Sequence, residues 1–445
     1  MRRRILWIVG GCLMLVSLYL LTTDNPAIWP YRNALQYYLL TRGNVPQPPN
    51  AYEVPTTTAS PQIRSASALQ LPPTTPRGTL QGNVRSQQGQ PIAGATVLVT
   101  ANDGTAFSAE SDTQGRYEIR DVPAGKYIPV AGAPGFADTA IRTLLGIGVR
   151  AEEATTLDIT LAPRPASRVA PATNVTLSAP QALQIAKPLP ATAVRRELKF
   201  RADGRSNQLT YVYTPNDGQT TLLPTLLAVY PGPADGWESV SMPLAQAGYA
   251  VVAVGPAYAL DLEADIDDLE RVVQLIKAGK LPRADGSQIG ALAGSFSGLH
   301  VMRLTVREPD AINSALLLGP PTDMFELRRQ FEAGTFFPPF GLDQALIALG
   351  LPSREPERYF RYSVRYHARD VHVPVMLIHS NEDEVVPFTQ SQLLADEFAR
   401  LNKPHELHIL EGMGHYLLAT ERTPAIDQLF ATTTDFFEQT LQRVE

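Results

Sequence analysis

The chain has 445 residues, 44% of them hydrophobic and 18% charged, with a formal net charge of −6 at pH 7. That length allows two or three domains, one with a large core, and the acidic balance leaves no basic footprint for nucleic acid. A single cysteine, Cys12, excludes intrachain disulfides and a cysteine zinc site, so an exported form must be stabilised by packing.

The N-terminus joins Arg2, Arg3 and Arg4 to an apolar run from Ile5 to Leu21, longer than a signal-peptide core and shorter than a comfortable membrane span. No A-x-A-like cleavage site follows, because the next residues are Thr22, Thr23, Asp24, Asn25 and Pro26. Residues 1–23 are therefore expected to form an uncleaved signal anchor, with secretion after cleavage as the alternative. The arginines place the N-terminus in the cytoplasm and the remainder outside it. Val9-Gly10-Gly11-Cys12 is only a faint lipoprotein box, since most of the apolar run follows the cysteine. Residues 24–77 read as a proline-rich linker. Within it, Ile28 to Leu40, with Trp29, Tyr31, Tyr37 and Tyr38, reads as a short helix at the membrane interface.

From 78 to 163 the period changes. Leu80 to Val84, Ala95 to Val99, Arg116 to Ile119 and Leu157 to Leu161 are short alternating or apolar runs separated by turn residues, the signature of a small all-β sandwich. Gly89-Gln90-Pro91-Ile92-Ala93-Gly94, Asp112-Thr113-Gln114-Gly115-Arg116-Tyr117 and Val122-Pro123-Ala124-Gly125-Lys126-Tyr127 resemble the carboxypeptidase regulatory-like, transthyretin-like, domain. These are turn glycines and core tyrosines, which imply a fold and leave the sandwich's ligand unknown. Residues 164–190, rich in Pro, Ala and Ser, read as a second linker.

Residues 191–445 alternate strand and helix, which predicts an α/β domain with a mostly parallel sheet covered on both faces. A hairpin across Asp203-Gly204 opens it. Strands are expected at Thr225 to Tyr230, Ala250 to Val254, Gln288 to Ala293, Ser314 to Leu318, Val375 to His379 and Leu407 to Leu410. Leu260 to Ala278 reads as a helix whose acidic start, Asp261 to Asp268, is a solvated face. About 320–370 reads as an insertion placed like a cap.

Three stretches carry chemistry. Gln288 to Gly294 runs as a strand into Ser295 and then into a helical pattern, and Ala293 and Ser297 flank the serine where a nucleophile elbow needs small residues. The usual elbow has glycines at those two places. Val375 to His379 leads into the acids Glu382, Asp383 and Glu384, and Leu407 to Leu410 leads into Gly414-His415. The chain order Ser, Asp, His, with each candidate just past a strand's carboxyl end, is that of the α/β-hydrolase fold. Ser295 would be the nucleophile, His415 its base and Asp383 the group that fixes the imidazole. Glu382 and Glu384 are the alternatives for the acid and otherwise read as exposed loop charge. Ser297 is a weaker nucleophile candidate because Leu299 crowds its elbow.

An oxyanion hole takes one donor from the amide after the nucleophile, that of Phe296, and a second from the loop after a neighbouring strand. Pro231 and Pro233 in that loop have no N–H, so the Tyr230 hydroxyl is the expected second donor, with the Gly232 or Ala234 amide as the alternative. His379 reads as a loop-bonding residue and His408 as a core or half-exposed one. His300, His367, His372 and His405 show no metal-ligand spacing, and neither a metal nor a cofactor is expected.

Val229-Tyr230-Pro231-Gly232-Pro233 and His379-x-x-x-Asp383-x-x-Val386-Pro387 make this last domain resemble the prolyl oligopeptidase family of serine peptidases, closest to its dipeptidyl-peptidase branch, with Ser380 where that branch has glycine. The resemblance implies a Ser295, Asp383 and His415 triad, a tyrosine in the oxyanion hole and a peptide substrate. The family's β-propeller and its amino-terminus-binding glutamate segment have no counterpart in this sequence. An esterase or acyl hydrolase is the second expectation, and a binding protein that has lost catalysis is the third.

Overall fold

Leu226 to Val229, Ala250 to Val254 and Ala315 to Leu318 are almost unbroken apolar runs, the composition of strands covered on both faces, and in the computed structural model all are buried. The structure describes residues 25, 28–46, 69–167, 169–255, 262–338, 342–411, 413–415 and 421–441. The expected membrane segment Ile5 to Leu21, with Cys12, and most of the proline tether lie outside these residues. Among the described residues no helix is long and apolar enough to cross a membrane.

The chain divides into two compact units. One comprises Met1–Ala131, Thr139–Thr160 and Phe325–Tyr359, and the other Gly132–Asp138, Leu161–Met324 and Phe360–Glu445. In the first, β1 (Arg77–Ser86) pairs antiparallel with β4 (Arg116–Pro123), and β2 (Thr96–Thr100) with β3 (Ala106–Glu110). Alternate residues point inward, so Leu80, Val84, Val97, Val99, Tyr117 and Ile119 form the core. The Tyr117 and Tyr127 hydroxyls close onto the carbonyls of Leu157 (2.7 Å) and Pro123 (2.6 Å), which lets two phenols be buried with their polar ends satisfied.

Two expectations change in this unit. Helix α1 (Trp29–Thr41) forms, but Trp29 and Tyr37, read as headgroup aromatics, are 3% and 0% exposed within the protein. Arg358 lies 4.0 Å from the Trp29 ring centroid and Arg328 4.7 Å from that of Tyr37, whose hydroxyl donates to Glu332 at 3.2 Å. The insertion also groups with α1 over Phe325–Tyr359, where it was expected as a cap on the hydrolase-like domain. The buried pair Arg328–Glu332 (Nε to Oε1, 2.7 Å) is surrounded by the Leu346 carbonyl and the Tyr359 hydroxyl, and the Tyr37 hydroxyl of α1 reaches it through Glu332.

The second unit is built on one twisted sheet. Besides the two-residue strand Arg205–Ser206, its strands are β5 (Thr173–Leu177), β6 (Gln181–Ile185), β7 (Ala191–Ala202), β8 (Thr210–Pro215), β9 (Leu223–Val229), β10 (Ala250–Val254), β11 (Ala284–Gly294), β12 (Ser314–Leu318), β13 (Val375–Ser380) and β14 (His405–Leu410). The order is β5-β7-β8-β10-β9-β11-β12-β13-β14, with β6 also on β7. Pairing is antiparallel as far as β10 and parallel from there on. Successive residues feed opposite faces. Leu227 and Val229 meet α3 (Leu262–Lys277), α4 (Ser297–Arg307) and α5 (Thr389–Arg400), while Leu226 and Ala228 meet α2 (Glu238–Gln246) and α6 (Pro424–Thr440).

Here too the sequence reading needs correction. β5 and β6 arise from what reads as the second linker, because Val175/Leu177 and Leu183/Ile185 alternate with polar residues and can pair with β7. The acids of α3 are only in part a solvated face: Glu263 and Asp267 keep about a third of their side-chain surface exposed, and Asp261 lies outside the described residues. Asp265, Asp268 and Glu270 are 4%, 2% and 6% exposed, and they pair with His300, Arg205, Arg271 and Arg307.

Candidate active site

The elbow follows from strand pairing and side-chain size. β11 ends beside β12, and the Ser295 amide donates to the Leu318 carbonyl at 2.7 Å while its backbone turns to φ +53°, a left-handed conformation costly for any residue but glycine. Gly298 allows the closure, since a Cβ there would lie 2.7 Å from that of Pro320. Ser297 replaces the usual elbow glycine with a staple. Its fully buried hydroxyl shares its proton between the carbonyls of Val229 (2.6 Å) and Gly294 (2.7 Å) and accepts the Gly294 amide at 3.1 Å.

The acid arrives at the end of β13. Asp383 Oδ1 accepts the amides of Val385 (2.8 Å) and Val386 (2.7 Å), and Oδ2 faces His415 Nδ1 at 2.7 Å and His379 Nε2 at 3.2 Å. His379 Nε2 also meets the Val386 carbonyl at 2.9 Å, an acceptor only, so that nitrogen carries the proton. Burial pushes the Asp383 carboxyl up, but the hydrogen bonds from His379 and His415 outweigh it and hold the group at about 2. Gly319 makes room beside them: it is at φ +52°, and a Cβ there would lie 3.0 Å from Asp383 Oδ2 and 3.5 Å from the His415 ring.

His415 completes the chain. Because a carboxylate only accepts, Nδ1 carries the proton towards Asp383, and the lone pair on Nε2 faces Ser295 Oγ at 2.7 Å. Glu384, read as loop charge, accepts the His415 main-chain amide at 3.2 Å. Ser380, standing where the related motif has glycine, donates to the Met413 carbonyl and accepts the Glu382 amide at 3.0 Å, tying the acid loop to the histidine loop. Thus Ser295, Asp383 and His415 are brought together, supported by Glu384, Ser380 and His379. The sequence signal for these three was their adjacency to the acid and its strand.

The oxyanion donors divide. Among the described residues the Phe296 amide meets no acceptor, as a donor kept for a ligand must. Tyr230 is 3% exposed, its ring stacks on Trp237 at 4.9 Å, and its hydroxyl is paired with Ser241 Oγ of α2 at 2.8 Å. Burial also pushes its phenol above the ordinary range, so it stays neutral. Beside it lies a small apolar recess of about 70 Å³, lined by Trp237, Val240, Leu244, Leu429 and Phe430 and reaching Gly294 and Leu318.

A nucleophile held in a strained elbow, a base oriented by a buried carboxylate and an unpartnered amide beside them define a serine hydrolase site on an α/β sheet. Residues 259–444 match the Prolyl oligopeptidase family and residues 79–162 the Carboxypeptidase regulatory-like domain. The C-terminal part of the chain is thus similar to that peptidase family over residues 259–444, and the chain is a serine hydrolase. No curated protein matches the chain by sequence. Among solved structures, the Pyrococcus horikoshii acylaminoacyl peptidase is similar at 16% identity and a TM-score of 0.47, with 79% of this chain and 55% of that one covered. A truncated carbohydrate esterase from gut microbiota is similar at 20% identity and a TM-score of 0.43, covering 52% and 90%. An esterase from Thermogutta terrifontis gives 18%, 0.41, 55% and 93% for the same quantities.

Proposed function

We propose that the chain is a membrane-anchored, extracytoplasmic serine peptidase of the prolyl oligopeptidase type that works through an acyl-enzyme on Ser295. The observation that carries this is the relay from Ser295 Oγ through His415 to Asp383, with both hydrogen bonds at 2.7 Å. In this reading His415 Nε2 takes the hydroxyl proton as Oγ bonds to the scissile carbonyl carbon. The negative charge moves to the carbonyl oxygen, where the Phe296 amide meets it. The second donor is the Gly232 amide, which has no acceptor among the described residues. His415 then gives its proton to the leaving amine, and water repeats the sequence to free the acid. Asp383 stays ionised and stabilises the imidazolium.

Ile5 to Leu21 would hold the enzyme at the membrane, with Arg2 to Arg4 on the cytoplasmic side. Cell fractionation tests this part, and a soluble mature form starting near Thr22 would contradict it. Esterase chemistry on the same residues is the second reading. It is favoured by the recess, whose lining among the described residues contains no charged side chain to hold a peptide's amino terminus. A panel of dipeptidyl amides and short-chain esters separates the two. The peptidase reading expects amide turnover that disappears in Ser295→Ala, and turnover of esters alone would replace it with the esterase.

A further inference from the structure

Five of the ten large apolar side chains left exposed among the described residues belong to α1: Tyr31 at 78%, Leu35 at 59%, Tyr38 at 37%, Leu39 at 68% and Leu40 at 44%. Tyr31, Leu35 and Leu39 recur every fourth residue, so they share one side of the helix. The other side is already taken. Asn33 donates to the Ala348 carbonyl at 3.1 Å, Tyr37 to Glu332, and Trp29 lies under Arg358. Arg32, the helix's single charged residue, is spent on Glu355 at 3.0 Å. A helix on a water-exposed surface normally turns charge outward. α1 instead turns an uncharged tyrosine and leucine stripe outward, the kind of patch that marks a partner or a membrane.

The preceding sequence decides between these. The apolar run ends at Leu21, eight residues before Trp29. Even fully extended, that segment reaches roughly 28 Å. If the run enters a bilayer, as the proposed function holds, α1 cannot lie far from the lipid surface. Tyrosine favours the headgroup level and leucine the acyl boundary below it, the arrangement of a helix lying in the interface plane. We propose that the outward stripe of α1, Tyr31, Leu35, Leu39 and Leu40, rests in the headgroup layer of the bilayer that Ile5 to Leu21 enters. The opposite face of the same helix then holds Phe325–Tyr359 within about one helix diameter of the lipid.

The test uses the full-length chain in phosphatidylcholine vesicles. In a Cys12→Ser background, a polarity-sensitive dye is attached at Leu39→Cys and, as a control, at Leu144→Cys, where the native side chain is 99% exposed. Lipids brominated near the headgroup end of their chains supply the quencher. The expected result is vesicle-bound protein in which the dye at position 39 shifts to the blue and is quenched several-fold while that at 144 is unchanged. Bound protein with both dyes unquenched would overturn the interfacial helix and leave the anchor standing. Quenching lost as the protein is diluted per vesicle, with position 39 cross-linking between chains, would instead make a second copy the occupant and overturn the proposal. Protein that fails to float with the vesicles would remove the anchor reading and this inference together.

Discussion

Ser295 and Ser297 are two residues apart and differ in what their hydroxyls do. Ser295→Ala or His415→Ala should each lower kcat by several orders of magnitude, and the double variant should lose little more, because the three residues act as a unit. Ser297→Ala should keep most of its activity and lose about 1–2 kcal/mol of stability, since it leaves the Val229 and Gly294 carbonyls short of a buried donor. Tyr230→Phe should turn over substrate within a few-fold of the parent and cost about 1 kcal/mol, because its hydroxyl bonds Ser241. A loss of roughly 10²-fold or more in kcat would put the tyrosine back in the oxyanion hole. The Asp383 carboxyl sits lower in the folded chain, about 2, than its ordinary 3.8. Its contribution is therefore full above that ordinary value and is lost as the pH falls towards about 2. The stability gap between parent and Asp383→Asn should shrink by about 1 kcal/mol between roughly pH 6 and pH 3 in urea titrations, and a gap that is flat with pH would contradict the two-histidine site. The nucleophile, acid and base were legible because each follows an apolar strand. The roles of Ser380 and Glu384 were not, because they depend on the loops after two different strands meeting in space.

The strands of the parallel sheet were readable to within a few residues, since a buried strand must be apolar along its whole length. Less legible were β5 and β6, whose weak alternation is hidden by prolines, and the partner of α1, since the contacts between Tyr37 and Glu332 span 295 residues of sequence. That pairing has a measurable consequence. Glu332→Ala leaves Arg328, 0% exposed, without its counter-charge and should cost about 3–5 kcal/mol, seen as faster amide exchange in both α1 and Met324–Ala333. Replacing both partners, Arg328→Met with Glu332→Leu, should recover most of that loss. If Glu332→Ala leaves α1 exchange unchanged, the helix is held by its aromatic contacts alone.

At the scale of the molecule, two sequence-local modules are separable by their periods alone, two in the sandwich and alternating two and 3.6 in the hydrolase. What no period conveys is that the insertion at Phe325–Tyr359 groups with the N-terminal unit. The account as a whole rests on one hydroxyl being activated. Treat the full-length protein with a fluorophosphonate and locate the adduct by mass spectrometry of its peptides. The account predicts one stoichiometric adduct on Ser295, absent in Ser295→Ala and strongly slowed in His415→Ala. Labelling on Ser297, or no labelling of the folded parent protein, would contradict it.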